Sequence, residues 1–219
     1  MALPLLKLIA VVMEFVSSFL SFLIGYYALK AYRTSGSKGL FLLYWGFIIL
    51  GVGTFLRVFT ATYISVVSQV YEAPRQWLGL INLAALIYSA TELVAYSLIV
   101  VAYVFQARPP SQKVAVAGAI SAATAVVFPI YRLFFIPWLE LIAITMLAFV
   151  VVSTFMNWHV RKSSESALVF LGFGLMLLSH IFFLFLPLDE MLLLLGQMTE
   201  LAGFICLSAM LAKVSRTNG

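Results

Sequence analysis

The chain has 219 residues, of which 64% are hydrophobic and 10% are charged, and its mean hydropathy is +1.11. Soluble domains are about 45–50% apolar and roughly 25% charged, so a soluble fold could not bury this much apolar surface. Apolar stretches of roughly eighteen or more residues recur, and each is long enough for a helix to cross ~30 Å of hydrocarbon. The net charge of +5 comes from basic residues near predicted helix ends, which is typical of membrane topology, so nucleic-acid binding is not expected. We therefore expect an all-α integral membrane protein of the cell membrane, in one domain over residues 1–219.

Seven transmembrane helices are predicted in chain order, separated by loops rich in polar residues, glycine and proline. Their ranges are Leu8–Leu29, Gly39–Ala61, Trp77–Phe105, Val114–Phe128, Pro137–Trp158, Ser166–Leu186 and Met191–Val214. The third helix should end before Pro109-Pro110, because proline lacks the N–H group that a helix interior needs. The first lacks a small-residue cleavage site after its apolar run, so we interpret it as a spanning helix and not as a signal peptide. Cys206 is the single cysteine, which excludes a disulfide within the chain and a CxxC motif.

Basic residues in the short loops predict the orientation, since cytoplasmic loops carry an excess of lysine and arginine. One set of loops and helix ends carries most of them: Lys30, Arg33, Lys38, Arg108, Lys113, Arg161, Lys162, Lys213 and Arg216. The opposite set carries Lys7, Arg75 and Arg132, together with the acidic Glu72, Asp189 and Glu190. We therefore expect the N-terminus outside and the C-terminus inside, which agrees with an odd number of spans.

Short motifs recur at fixed offsets and raise the hypothesis of a parallel 3+1+3 repeat. The pairs at an offset of 126 residues are Glu14 with Glu140 and Gly46-Phe47 with Gly172-Phe173. The pair at an offset of 108 residues is Thr91-Glu92-Leu93 with Thr199-Glu200-Leu201. The halves would be residues 1–106 and 137–214, with 114–128 as the linker helix, and parallel repeats of this kind occur in transporters. The alternative is chance similarity, because apolar sequences match one another easily.

Ionisable residues inside the predicted helices are the candidates for function, because a charge at a helix centre in the bilayer costs at least ~2.5–3.5 kcal/mol. They are Glu14, Arg57, Glu92, Glu140, His180 and Glu200, with Gln197 beside them on the last helix. A rise of ~1.5 Å per residue places them mostly in the outer half, where they would line a ligand or ion pocket. Arg57 would orient an anion or pair with Glu14 or Glu200, and Glu92 would accept a proton or cation. The alternative is one structural ion pair, with Glu14 and Glu140 at the watery interface.

Four carboxyl groups face one arginine and one histidine in this set, so the charges do not balance. The surplus carboxyl groups must be protonated, hydrogen-bonded, hydrated or bound to a cation, and loss of water favours the protonated form. The small and polar residues on the same helix faces have a simpler interpretation, because such stripes are commonly packing seams between membrane helices.

No cofactor is predicted from the sequence. His180 is a candidate haem ligand, but the second histidine, His159, is predicted near the opposite membrane surface. A metal site remains open as an alternative, with Glu14, Glu140, Glu200 and His180 as its donors, although no Glu-x-x-His spacing supports it. Retinal is not expected, because its Schiff base needs a buried lysine and no lysine lies in a predicted helix centre. The motifs HExxH and GxSxG are absent, so an enzyme is not expected.

The seven helices, the outside N-terminus and the 3+1+3 plan resemble the transporter–opsin–receptor group, which includes the SWEET sugar transporters and the microbial rhodopsins. The last two predicted helices are also similar to membrane sensor regions of prokaryotic histidine kinases, through Ser179-His180, Gly196 and Leu201-Ala202-Gly203-Phe204. The resemblance implies a transporter or sensor in the lipid bilayer, and the outer pocket suits a small solute, a proton or a cation. The alternatives are a non-catalytic subunit or scaffold of a larger membrane complex, and a membrane-embedded enzyme or redox subunit. Neither a protein partner nor an oligomeric state follows from the sequence.

Overall fold

The fold, obtained as a computed structural model, is described for residues 2–70, 76–107, 137–186, 188–189 and 191–217. This part of the chain forms six α-helices, which are α1 (Ala2–Ser35), α2 (Lys38–Val70), α3 (Gln76–Ala107), α4 (Pro137–Arg161), α5 (Ser164–Leu184) and α6 (Met191–Thr217). Each of them contains a segment long and apolar enough to cross a membrane. The prediction of an all-α fold is confirmed for these six helices, and their length and hydropathy are compatible with a multi-pass membrane protein. The predicted helix Val114–Phe128 lies outside the described residues.

Some helices continue beyond the apolar stretches from which they were predicted. The second helix was expected to end at Ala61, whereas α2 continues to Val70. Its last nine residues are uncharged and include neither glycine nor proline, and the next proline in the chain is Pro74. Hydropathy marks the part of a helix that suits the bilayer, whereas the helix itself continues until its backbone meets a breaker.

Two short turns connect helices at one end of the bundle, and both contain a residue in the left-handed region. Gly36 has φ of 65° between α1 and α2, and Lys162 has φ of 48° between α4 and α5. The amide of Gly36 donates to the Tyr32 carbonyl oxygen at 2.8 Å, and the amide of Lys162 donates to that of Trp158 at 2.7 Å. The Ser163 side chain then caps α5 by accepting from the Ser166 amide. These features explain how each helix pair reverses direction within two residues.

The six helices form a closed ring in chain order. Each helix packs against two others, and the contact between α6 and α1 closes the ring. The two turns, together with Lys30, Arg33, Lys38, Arg161, Lys162 and Lys213, lie at one end, which we call the basic end. Helices α1, α3, α4 and α6 run towards the basic end, and α2 and α5 run away from it. Neighbours α3 and α4 therefore run in the same direction, as do α6 and α1.

Apolar side chains from all six helices fill the centre of the ring. The Phe47 and Phe173 rings meet across it from α2 and α5, with centroids 6.4 Å apart. Tyr103 packs edge-on against Phe173, with centroids 5.7 Å apart. Below the level of Tyr96, towards the basic end, the interior is therefore closed by packed side chains.

Residues related by the two sequence offsets occupy matching places in the ring. A Cβ atom on Gly46 would lie 2.9 Å from Cγ1 of Ile99, and one on Gly172 would lie 2.7 Å from Cγ of Leu207. The two glycines are 126 residues apart, and Ile99 and Leu207 are 108 residues apart. The turn residues Gly36 and Lys162 are also 126 residues apart. The contacts of α2 with α3 thus recur between α5 and α6.

Candidate functional site

The ionisable residues inside the ring form two groups at the end opposite the basic end. In the first group, the Arg57 guanidinium of α2 forms an ion pair with the Glu14 carboxylate of α1. The same carboxylate oxygen, Oε1 of Glu14, accepts from Nε2 of Gln197 of α6 at 2.6 Å. Glu14 faces inwards because Ser17, Ser18 and the glutamate share one buried face of α1. One carboxylate therefore joins three helices.

The second group is centred on His180 of α5, whose side chain is 2% exposed. Its Nδ1 atom lies 2.7 Å from Oε2 of Glu140, near the start of α4. Its Nε2 atom lies 2.7 Å from the Tyr96 hydroxyl and 3.3 Å from Oε1 of Glu92, both on α3. A histidine held between two carboxyl groups and a phenol has a partner for each ring nitrogen in either protonation state.

Tyr88 connects the two groups. The Arg57 guanidinium carbon lies 4.0 Å from the centroid of the Tyr88 ring, which is the geometry of a cation–π contact. The Tyr88 hydroxyl donates to Oε1 of Glu92 at 3.2 Å. The sequence prediction of the site did not include Tyr88 or Tyr96. A signal was present, since both stand four residues from Glu92 and so lie on the same face of α3.

All seven residues predicted for the site lie at this end of the ring, and each of the six described helices contributes at least one of them. Together with Tyr88 and Tyr96 they form what we call the polar network. Its residues are Glu14, Arg57, Tyr88, Glu92, Tyr96, Glu140, His180, Gln197 and Glu200. Within the network, the Arg57 side chain is 26% exposed and the Glu140 side chain is 18% exposed.

Proton positions in the second group follow from the donors and acceptors around His180. In the neutral tautomer that carries its proton on Nδ1, this atom donates to Glu140 and Nε2 accepts from the Tyr96 hydroxyl. In the imidazolium form, Nε2–H instead donates towards Glu92. A proton can therefore be held on either His180 or Glu92 with small changes in geometry.

The network carries more acidic than basic groups. With all groups ionised, the carboxylates Glu14, Glu92, Glu140 and Glu200 contribute four negative charges, and Arg57 and His180 contribute two positive charges. Because unpaired charge is expensive away from water, the network favours uptake of protons or of a cation. In the part of the chain that the structure describes, no group of three or more histidine, cysteine, aspartate and glutamate residues is placed to hold a metal ion. His159 lies towards the basic end of α4, far along the bundle from His180.

Three buried oxygen atoms near the network have no hydrogen-bond partner among the described residues. They are Oγ of Ser17, Oε1 of Gln197 and Oε2 of Glu200. The residues are 0%, 1% and 2% exposed, respectively. Leaving buried polar atoms without a partner is costly, and native structures rarely do so without a reason.

Comparison with known proteins gives one partial match. The model of a family of unknown function, DUF7521, matches residues 10–104. This range begins in α1 and ends three residues before the end of α3, so it covers the first three helices of the ring. No curated protein and no solved structure matches the chain.

Proposed function

We propose that this chain is a multi-pass protein of the cell membrane that binds a small solute or a cation in the polar network, as a transporter or a sensor. The observation that carries the proposal is the surplus of carboxyl groups in a buried network to which all six described helices contribute. A bundle that needed only structural cohesion could pair each acid with one base. Three carboxyl groups beyond the Glu14–Arg57 pair, with His180 as the other base, are instead suited to bind positive charge.

The position of the network supports access from one side of the membrane. Phe47, Tyr103 and Phe173 close the interior towards the basic end. Arg57, Tyr88 and Glu140 are partly exposed members of the network. A ligand would therefore enter from the end opposite the basic end, which is the outside in the topology that we propose.

The directions of the helices support seven spans. Helix α3 ends at the basic end, whereas α4 begins at the opposite end. We propose that Val114–Phe128 crosses the membrane between these two ends. We further propose that the basic end is cytoplasmic, with the N-terminus outside and the C-terminus inside, because cytoplasmic loops carry an excess of lysine and arginine. This is the arrangement of the transporter–opsin–receptor group.

The matching contacts support a duplicated 3+1+3 plan for the same chain. Gly46 of α2 packs on Ile99 of α3, and Gly172 of α5 packs on Leu207 of α6. Helices α2 and α5 lie on opposite sides of the ring, as do α3 and α6. The family model of unknown function also ends within α3, as a three-helix unit would. We propose that each half supplies one glutamate from its first helix and one from its third to the shared network.

The proposal is tested by the response of the purified protein to pH. The thermal stability of the wild type should change between pH 5 and 8, and Glu92→Gln should flatten this response, because Glu92 and His180 share protons. Glu165→Gln is the matched control, since Glu165 is paired with Lys213 at the basic end and lies outside the network. A Glu92→Gln profile equal to that of the wild type, together with no proton or solute flux in proteoliposomes, would refute the proposal.

A non-catalytic subunit or scaffold is the second candidate, and one observation favours it. Glu14 with Arg57 and Glu140 with His180 form pairs within the chain, as purely structural residues would. Under this reading the protein should co-purify with fixed partners in constant ratio. The variants Glu14→Gln and Glu140→Gln should then reduce yield without altering any response to pH.

A further inference from the structure

The three unpartnered oxygen atoms belong to one seam of the ring, between α1 and α6. The hydrogen bond between Gln197 Nε2 and Glu14 Oε1, at 2.6 Å, sets these two residues at one level. Ser17 follows Glu14 by three residues, and Glu200 follows Gln197 by three. Because α1 and α6 run in the same direction, Ser17 and Glu200 both lie three residues, or about 4.5 Å, deeper in the bundle.

The donor set at this seam is a hydroxyl, an amide oxygen and one carboxylate. Each residue is more than nine-tenths buried, and each oxygen lacks a hydrogen-bond partner within the described ranges. All three atoms accept hydrogen bonds or coordinate cations, and oxygen donors are those that hard cations prefer. The Gln197 amide nitrogen is engaged by Glu14, so the amide cannot exchange its nitrogen and oxygen without losing this bond. Its oxygen is therefore directed away from Glu14.

The corresponding seam between α3 and α4 has a different composition. Glu92, which is offset from Glu200 by 108 residues, contacts Tyr88 and His180. Ala143 stands at the offset of 126 residues from Ser17, so the hydroxyl has no counterpart. The unpartnered oxygens are thus a property of the α1–α6 seam and not a general consequence of the ring.

We propose that Ser17, Gln197 and Glu200 form a binding site for one monovalent alkali cation, with Na⁺ as the first ion to test. The proposal rests on the proposed function, of which it names the ligand. A single carboxylate matches a single positive charge, whereas Glu14 is engaged by Arg57. Arg57, His180, Glu14 and Glu92 are the charged groups that act on Glu200. With all of them ionised, the network still has a negative surplus that one cation reduces.

The test is the thermal stability of the full-length protein in detergent, in NaCl and in choline chloride at equal ionic strength. A ligand that binds only the folded state stabilises it in proportion to the logarithm of its concentration. At about 100 times the Kd, the melting temperature should rise by roughly 5–10 °C. Titrations with LiCl and KCl then rank the ions by size. Equal melting temperatures in NaCl and choline chloride at all concentrations would overturn the proposal.

Variants localise the effect. Ser17→Ala and Glu200→Gln should each lower the apparent Na⁺ affinity by at least tenfold. Ser208→Ala is the matched control, because the Ser208 hydroxyl is also buried and unpartnered on α6 within the described residues but lies eight residues beyond Glu200. If Glu200→Gln does not fold, the Na⁺ affinity of Ser17→Ala tests the site, because this change removes only the hydroxyl oxygen. An unchanged Na⁺ response in Ser17→Ala, or a loss in Ser208→Ala, would contradict the assignment.

The outcome also separates this site from the proposed function. If Na⁺ has no effect while the pH response still depends on Glu92, the cation site is wrong and the proposed function stands. If neither Na⁺ nor pH acts through these residues, both proposals fail.

Discussion

At the scale of single residues, the glutamates of the network differ in the groups that surround their carboxyl oxygens. Glu14 accepts from Arg57 and Gln197, so its charge is compensated within the chain. Glu92 contacts Tyr88 and His180, which suits it to exchange a proton. Glu200 has an oxygen atom without a partner in the described part of the chain. Sequence alone does not distinguish these three carboxyl groups, because the difference lies in residues from other helices.

The ion pair between Arg57 and Glu14 should be important for stability. Arg57→Gln leaves a carboxylate with little access to water, and removing one partner of a buried pair typically costs about 3–5 kcal/mol. We expect about 3 kcal/mol here, because the Arg57 side chain is 26% exposed. The double variant Glu14→Gln/Arg57→Gln should recover part of the loss, since no charge is then left without its partner. Denaturant titration of the wild type, Arg57→Gln and the double variant measures the loss and its recovery. A double variant less stable than Arg57→Gln would argue against the pair.

The backbone of Lys162 offers a second test at this scale. Its φ of 48° is in the left-handed region, which costs a residue with a Cβ atom roughly 1–2 kcal/mol. Glycine adopts this conformation freely, as Gly36 does in the matching turn, although its greater freedom in the unfolded chain reduces the gain. Lys162→Gly should raise stability by up to about 1 kcal/mol. A melting temperature below that of the wild type would show that the lysine side chain matters more than the turn.

At the scale of helices, two kinds of contact hold neighbours together. Hydroxyl groups of α1 donate to carbonyl oxygens of α2, from Ser18 to Gly51 at 2.9 Å and from Ser21 to Phe47 at 2.7 Å. Small residues bring α5 and α6 close together, since Gly172 and Gly203 face each other. Small and polar residues at helix interfaces are typical where lipid removes the hydrophobic drive for association.

Enlarging the glycine seam should separate α5 from α6. A Cβ atom on Gly203 would lie 2.8 Å from the Gly172 carbonyl oxygen, which is backbone and cannot rotate away. Gly203→Ala should therefore lower the melting temperature by several degrees. Gly174→Ala is the matched control on α5, because a Cβ atom there meets no other atom within 4 Å among the described residues. It should be neutral or slightly stabilising, since alanine favours helix by about 1 kcal/mol over glycine. Equal effects of the two variants would refute the close approach.

At the scale of the whole molecule, the ring has two unlike ends. One end carries the polar network, and the other carries lysine and arginine residues outside a packed aromatic centre. Each helix contacts its two neighbours, and side chains also meet across the ring, at Phe47 and Phe173 in the packed centre and at Glu92 and His180 in the network. A change at Glu92 on α3 therefore reaches α5 directly through His180.

The proposed orientation is tested by cysteine labelling in a Cys206→Ser background. Asp189→Cys lies in the exposed turn between α5 and α6, and Ser35→Cys lies at the exposed end of α1. A membrane-impermeant maleimide should label Asp189→Cys in intact cells and Ser35→Cys only after lysis. The reverse pattern would place the basic end outside and overturn the topology.

Much of the fold follows from composition and hydropathy. The six described helices were predicted near their observed positions because a bilayer-spanning segment needs about 20 apolar residues, which is a local property of the chain. The end of α2 was predicted nine residues too early, because hydropathy does not report where a helix ends beyond the membrane. The candidate residues could also be named, because a charge in an apolar segment stands out whatever surrounds it.

Which of those residues meet was decided by the tertiary structure. The depth of each residue along its helix was predictable, but the order of the helices in the ring was not, because lipid-facing and inward-facing apolar surfaces look alike in sequence. The pairing of Glu14 with Arg57, the contact of Glu92 with His180 and the bridging position of Tyr88 all depend on that order. The sequence by itself thus determined a helical membrane protein with buried acidic groups. Only the packing of the ring decided that these groups form one network at one end, in which Oε2 of Glu200 has no hydrogen-bond partner among the described residues.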